Sequence, residues 1–302
     1  MKHPSRTESV ISPLFANLDA LTSRGSELII NAQLHQQMLQ VQGGRLCPEI
    51  IPINRMKRVL DLGCGAGEWI FDLAKRYPQL HIYGIDIFED ALNQAKMRRN
   101  IGCLHQVELR QMDLLHPLPI PDRYLDLVHI RRCASFITQP MWPHILGECV
   151  RILKPRGWLV LVEIEIGDIS SPACQAIHRA TLAALAKLGR TMDPTGLTFG
   201  AAQHLYGMLL QTPLDEVTYN LSTIDLGFMS GTSGRVFLTE ILRQASFMKP
   251  VIIQQGILNA TSFDELLAQA GRELLAPDLC GWAIIISAYG RQPERDESNI
   301  SM

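Results

Sequence analysis

Between Arg58 and Ile166, short apolar runs alternate with longer segments whose apolar residues recur every three or four positions. Runs of strand length stand at Val59 to Leu62, His81 to Ile85, Val107 to Leu109, Leu125 to Ile130 and Trp158 to Ile164, and helix-like segments separate most of them. The alternation predicts an α/β domain built on a parallel sheet. The first intervening segment puts Ile70, Leu73, Ala74 and Tyr77 on one face, and Pro78 stops it. Another, near Thr138 to Leu153, opens with Thr138 as N-cap and Pro140 in its first turn, and it ends before the turn Lys154-Pro155-Arg156-Gly157.

The patterning continues on both sides. Upstream, Ile30, Leu34, Met38 and Val41 form one stripe closed by Gly43-Gly44, which predicts a helix packed on the domain ahead of its first strand. Downstream, Ser171-Pro172 opens a helix carrying Ile177, Ala180, Ala184 and Leu188, and a shorter one follows near Ala201 to Leu210. Alternation at Val217, Tyr219 and Leu221 predicts a sixth strand. A helical pair comes next, the first helix striped by Phe237, Ile241, Ala245 and Met248 and the second begun by the capping box Ser262-x-x-Glu265. The last strand is Trp282 to Tyr289, and the polar residues from Gln292 onward read as a mobile tail.

Composition narrows the class. A chain of 302 residues, 47% hydrophobic and 19% charged, can bury a sizeable core, while a net charge of -2 gives no overall field that draws it to nucleic acid or an anionic membrane. The seven cysteines are scattered, odd in number and never spaced C-x-x-C, so neither a disulfide framework nor a zinc site is expected. They read as reduced thiols of a cytoplasmic protein. The longest apolar runs are far too short to span a bilayer, and the first residues lack an apolar core of signal-peptide length. The expectation excludes secretion and membrane insertion.

The chemistry concentrates in RVLDLGCGAGEWIFDLAKRYPQLHIYGID, Arg58 to Asp86. Gly63, Gly65 and Gly67 follow the first strand and precede a helix, so the backbone can turn sharply and bring N–H groups to a ligand at the helix's positive end. Asp86 closes the second strand, where a carboxylate can accept from both hydroxyls of a ribose. A dinucleotide loop, G-x-G-x-x-G, requires glycine at position 68, and this chain has Glu68. A nicotinamide dehydrogenase is therefore disfavoured.

The pattern from Asp61 to Gly67, D-x-G-x-G-x-G, resembles motif I of the class I S-adenosylmethionine-dependent methyltransferases. The resemblance continues in order through YGIDI, RQMDLL, LDLVHIRR and RILKPRGWLVLVE, over Arg58 to Glu165. More loosely, the later part resembles bacterial and fungal small-molecule methyltransferases of the secondary-metabolism and ubiquinone or menaquinone type. It implies a Rossmann-like doubly wound seven-stranded sheet, mainly parallel with an antiparallel last strand. The implied organisation is an N-terminal helical lid over residues 1–50, a methyltransferase domain over 51–291 with a helical insertion at about 228–278, and a tail over 292–302.

The resemblance assigns Gly63, Cys64 and Gly65 to the methionine moiety of S-adenosyl-L-methionine, Asp86 and Ile87 to its ribose and adenine, and Met112, Asp113 and Leu114 to the adenine edge. Asp61 stands near the cofactor's ammonium group, or orders the loop through its backbone N–H groups. Ile130 and Arg131 occupy the position that passes below the transferable methyl. A carboxylate at Asp113 can accept from the adenine amine while a neighbouring N–H donates to the ring.

Many small-molecule members place a histidine a few residues beyond the fourth strand, whereas this chain reads Arg131-Arg132-Cys133-Ala134-Ser135-Phe136-Ile137. The remaining base candidates are His35 on the lid helix and His204 on the substrate wall, ahead of His178 and Tyr206. His129, inside the fourth strand, reads as a core histidine. The Arg131-Arg132 pair can orient an acidic substrate, with a surface ion pair as the plainer role for Arg132. Met192, Met208, Met229 and Met248 fill the core or line an apolar pocket.

The expectation is methyl transfer by in-line displacement to a small, largely apolar, natural-product-like molecule, with no metal. Two alternatives stand beside it: a protein of this fold that uses bound cofactor for a cyclisation or rearrangement, and a non-catalytic cofactor-binding regulator. The expected partner is the small-molecule substrate. Nucleic acid is disfavoured for want of a recognisable RNA-binding module, and the helical pair before the last strand is a candidate surface for homodimerisation.

Overall fold

The structure, a computed structural model, describes residues 24–227 and 232–294. Its seven strands are β1 (Arg58–Leu62), β2 (His81–Asp86), β3 (Val107–Gln111), β4 (Leu125–Arg131), β5 (Leu153–Ile169), β6 (Asp215–Asp225) and β7 (Gly281–Arg291). They form one sheet in the order β3-β2-β1-β4-β5-β7-β6. The first five strands run parallel, and β7 lies antiparallel between β5 and β6. That is the doubly wound arrangement the resemblance implies, in which the order reverses between β1 and β4 and opens a crevice at the strands' carboxyl ends.

Because side chains alternate along a strand, the sheet buries two different faces. Val59, Ile82, Leu127, Val160 and Ile285 pack on the first face under α1 (Arg24–Val41), α2 (Glu68–Arg76), α3 (Glu89–Ile101), α5 (Pro172–Lys187), α7 (Thr232–Gln254) and α8 (Ala260–Glu273). Leu60, Ile85, Val128, Leu161 and Ile286 pack on the second under α4 (Trp142–Ile152) and α6 (Ala201–Leu210). The stripes read from the sequence are the buried ones, Leu34 and Met38 in α1 and Phe237, Ile241, Ala245 and Met248 in α7 among them.

Two predicted caps fall elsewhere. Thr138 makes no side-chain cap, because a 3-10 turn over Gln139–Met141 intervenes and α4 begins only at Trp142. Asn259, not Ser262, caps α8: its side chain accepts from the Ser262 N–H, so Ser262 sits inside the first turn. The turn Lys154-Pro155-Arg156-Gly157 survives as an excursion within β5, where the register jumps from Leu125↔Leu153 to Leu127↔Trp158 and Arg156 adopts φ 64°.

All seven cysteines are free. Among the described residues no helix is long and apolar enough to cross a membrane. Residues 1–23 of the predicted lid, Met229 and residues 228–231 of the predicted insertion, and the predicted tail beyond Glu294 lie outside the described residues.

Candidate functional site

The glycine loop is stitched over the end of β2. The N–H groups of Gly63 and Cys64 both donate to the Ile85 carbonyl, at 2.7 and 3.0 Å. At Gly63 (φ +72°) an added Cβ would collide with the Cys133 sulfur, so a side chain is excluded both by conformation and by packing. Gly65 (φ +54°) differs: nothing lies within 4 Å of where its Cβ would stand, and the loop there faces open space.

The corner between β1 and β2 is closed by a carboxylate. Asp86, 7% exposed, accepts from the Gly65 N–H at 2.7 Å through Oδ2 and from the Phe88 N–H at 2.9 Å through Oδ1. Burial pushes its carboxyl up and these N–H donors pull it back. The Met112 N–H donates to the Asp86 carbonyl at 3.0 Å, and Gln111 Nε2 to the Ile87 carbonyl at 2.9 Å, which brings the ends of β2 and β3 together. Asp113 is half-buried, with Oδ1 accepting from the Leu115 N–H at 3.0 Å, and Leu114 beside it is half-buried too. Arg98 fastens the loop's far side through the Ala66 carbonyl (2.8 Å) and the Glu68 carboxylate (2.7 Å).

A row of buried polar side chains lies beneath α1 on the first face. The register sets Asp61 directly beside His129. His129 Nδ1 donates to Asp61 Oδ1 at 2.8 Å, the ring stacks on Trp69 at 3.9 Å and 9°, and Nε2 has no partner among the described residues. Burial holds this imidazole neutral, against the pull of Asp61. Two residues on, the Arg131 guanidinium donates to His35 Nδ1 at 2.8 Å.

Since a guanidinium only donates, Nδ1 of His35 carries the lone pair, and its Nε2–H donates to Asp72 Oδ2 at 3.1 Å. Burial, followed by the Arg131 charge, holds His35 down at about 3. Its basic lone pair is thus committed to Arg131 in this arrangement. His204 is exposed on α6, where Tyr206 packs edge-on against Tyr219 at 5.3 Å.

The second face carries different groups. Glu163, 6% exposed in β5, accepts from the Ala134 N–H at 2.8 Å, and burial pushes its carboxyl up to about 7. Glu165 accepts from the Phe199 N–H at 2.7 Å, at the start of α6. Ile130 buries its side chain in this face, so only its backbone stands at the strand end. Arg132 donates to the buried Glu240 of α7 at 2.8 Å, a tie into the fold and not the surface ion pair expected of it. A cleft of about 160 Å³ on this side, lined by Tyr83, Ile85, Met112, Ile120 and Tyr124 among others, shares only Met112 with the predicted site residues.

Asp72 and Glu163 were not legible as site residues. The alternation Asp61, His129 and Arg131 on neighbouring strands was the available signal for the first cluster, and two glutamates in an otherwise apolar strand for the second.

Residues 59–157 match a family described as a methyltransferase domain. The chain is 25% identical over 131 residues to a methyltransferase, str3, of Strobilurus tenacellus, covering 43% of each protein. It is 29% identical over 126 residues to a demethylmenaquinone methyltransferase of Listeria welshimeri, covering 41% of this chain and 52% of that one. These matches thus span about half or less of the relatives' own length. Among solved structures, the YcgJ protein of Bacillus subtilis superposes with a TM-score of 0.50 at 17% identity, over 86% of this chain and 99% of that one, a likeness of fold.

Proposed function

With residues 59–157 forming a methyltransferase domain of class I fold, we propose that the protein transfers a methyl group from S-adenosyl-L-methionine to a small, largely apolar molecule by in-line displacement. The observation that carries this reading is the corner of Gly65 and Asp86: an open glycine with positive φ, its N–H held by a buried carboxylate at 2.7 Å. The residues present fit the cofactor. The space beside Gly65 is the kind of cradle a side chain would fill, and Asp86 keeps lone pairs for a ribose diol. Met112, Asp113 and Leu114 stand at the adjoining end of β3 for an adenine.

When bound, S-adenosylmethionine supplies an electrophilic methyl on a sulfonium. The chain's own part is to bind and orient, because the lone pair of His35 is engaged by Arg131 and His129 is buried against Trp69. Phe136, 46% exposed just beyond β4 and edge-on to Phe88 at 6.0 Å, offers apolar surface beside Asp86 for an acceptor. The Listeria relative, named for demethylmenaquinone, supports an acceptor of that character.

Thermal unfolding in the presence of S-adenosylhomocysteine or NADH tests the reading. The demethylated product should raise the midpoint by linkage and the dinucleotide should leave it unchanged. Stabilisation by NADH alone would overturn it.

A further inference from the structure

The chain leaves β4 by way of a strained residue. Arg132 has φ 57°, in the left-handed region that residues with a Cβ avoid, and its N–H still donates to the Val162 carbonyl at 2.9 Å, as though the strand continued. The other non-glycine residues of positive φ among those described, Cys103, Arg123, Arg156 and Glu216, stand in turns or at breaks in strand register. Arg132 instead follows directly on the carboxyl end of a central strand, where the crevice opens.

Two sets of contacts meet at this turn. On one side the Arg132 guanidinium donates to Glu240 Oε1 of α7, an oxygen that also accepts from Arg243 at 2.8 Å and from Gln244 at 3.1 Å. Glu240 is 4% exposed. Burial pushes its carboxyl up, but Arg243 and then Arg132 outweigh that and hold it below its ordinary value, so the tie is ionic at neutral pH. On the other side the chain doubles back to the end of β1. The Cys133 thiol donates to the Leu62 carbonyl at 3.4 Å and fills the space where a side chain on Gly63 would stand. The Ala134 N–H donates to Glu163 at 2.8 Å, and Phe136 comes to lie edge-on to Phe88 at 6.0 Å.

A left-handed arginine persists only where its surroundings over-determine it. Here a buried carboxylate 108 residues further along the chain grips the strained residue. Resting on the function proposed above, we propose that Arg132 and Glu240 are positioning residues: through this pair the helical insertion holds the corner after β4 in the shape that seats Cys133 against Gly63 and turns Phe136 toward the acceptor. Their part is to shape the site, with no direct contact to a reactant required. The element that does so, α7, lies beyond residues 59–157, the part that matches the methyltransferase domain. The insertion then sets the geometry of the loop and of the acceptor surface, besides covering the sheet.

Thiol alkylation tests this on the whole chain, because burial pushes the Cys133 thiol well up and it reacts only when the corner opens. With N-ethylmaleimide and peptide-resolved mass spectrometry, Arg132→Ala should speed modification of Cys133 by about tenfold. Cys149 and Cys174, each 0% exposed and one in each core, should stay within about twofold. Arg132→Gly lacks the guanidinium too but accepts the left-handed turn freely, and should return Cys133 to within about threefold of the unaltered rate. Glu240→Gln should give a smaller rise, at Cys133 alone. Calorimetry with S-adenosylhomocysteine should follow the same order, a loss of about fivefold in Arg132→Ala and of about twofold or less in Arg132→Gly. An unchanged Cys133 rate in Arg132→Ala, equal acceleration of all three thiols, or a glycine variant no better than alanine would overturn the proposal. If Arg132→Ala does not fold, Glu240→Gln decides: a rise at Cys133 alone supports the proposal, and a rise at none or all of the three thiols overturns it. Failure of the unaltered chain to bind S-adenosylhomocysteine would instead overturn the cofactor reading, with the thiol result still deciding what holds the corner.

Discussion

On the first face of the sheet, Asp61 is bonded to His129, and separately Arg131 to His35 and His35 to Asp72, side chain to side chain, with both imidazole rings held neutral. On the second, a few ångströms of sheet away, Glu163 and Glu165 accept from backbone N–H groups at the starts of short helical segments. Both sets are buried. The difference is that burial works on imidazoles on the first face, keeping both rings neutral, and on a carboxyl facing backbone N–H groups on the second, pushing Glu163 toward the proton. One face is suited to holding a charged ligand in a constant state, and the other ties the loop after β4 to the sheet in a pH-dependent way.

The largest expected effect comes from removing the acid that anchors the first face. Asp61→Ala leaves the His129 N–H unpaired and removes the counter-charge that acts most strongly on Arg131, and should cost about 3 to 5 kcal/mol of stability in urea unfolding. A loss below about 1 kcal/mol would mean that Asp61 does not anchor this face.

Glu163 probes the opposite face. Its folded value of about 7 lies above the ordinary 4.5, so between those limits the native state holds the proton more tightly than the unfolded chain. Its contribution is therefore complete below pH 4.5 and is lost as the pH rises through 7. Glu163→Gln should remove on the order of 3 kcal/mol of this fall between pH 4.5 and 7.5. A slope that persists in the variant would assign it to another group.

His35 predicts the reverse slope. Its folded value of about 3 lies below the ordinary 6.5, so the unfolded chain binds the proton first and stability drops as the pH falls below 6.5. His35→Asn should spare about 2 kcal/mol of the drop at pH 5. If the two variants changed the pH profile in the same direction, the contrast between the faces would fail.

A smaller effect calibrates the outer layer, away from both clusters. Asn259→Ala should cost about 1 kcal/mol as the true cap of α8, and Ser262→Ala, whose contribution at the cap is its backbone N–H, far less. Thermal melts that reversed this order would restore Ser262 as the cap.

That last pair shows where sequence patterning stops. The strands, the buried stripes and the glycine loop were legible because each is a local pattern: alternation, helical spacing, or residues close in the chain such as Gly63, Gly65 and Asp86. Asn259 and Ser262, one turn apart, carry equivalent capping signals that only the backbone path separates, and no local pattern announces the 3-10 turn that sets Thr138 apart from the start of α4. The pairing of Asp61 with His129 depends on strand register, and that of Arg131 with His35 on how α1 crosses the sheet, 96 residues apart in the chain. No spacing encodes either. Arg131 could be placed at the strand end, but not its partner.

Calorimetric titration with S-adenosylhomocysteine asks whether the Gly65 and Asp86 corner holds the ribose of an adenosine-bearing cofactor, as proposed. The unaltered chain should bind one equivalent, and Asp86→Ala, checked for a native circular dichroism spectrum, should bind about 2 to 3 kcal/mol more weakly through loss of two charge-assisted hydrogen bonds. Unchanged affinity in a folded Asp86→Ala variant would contradict it.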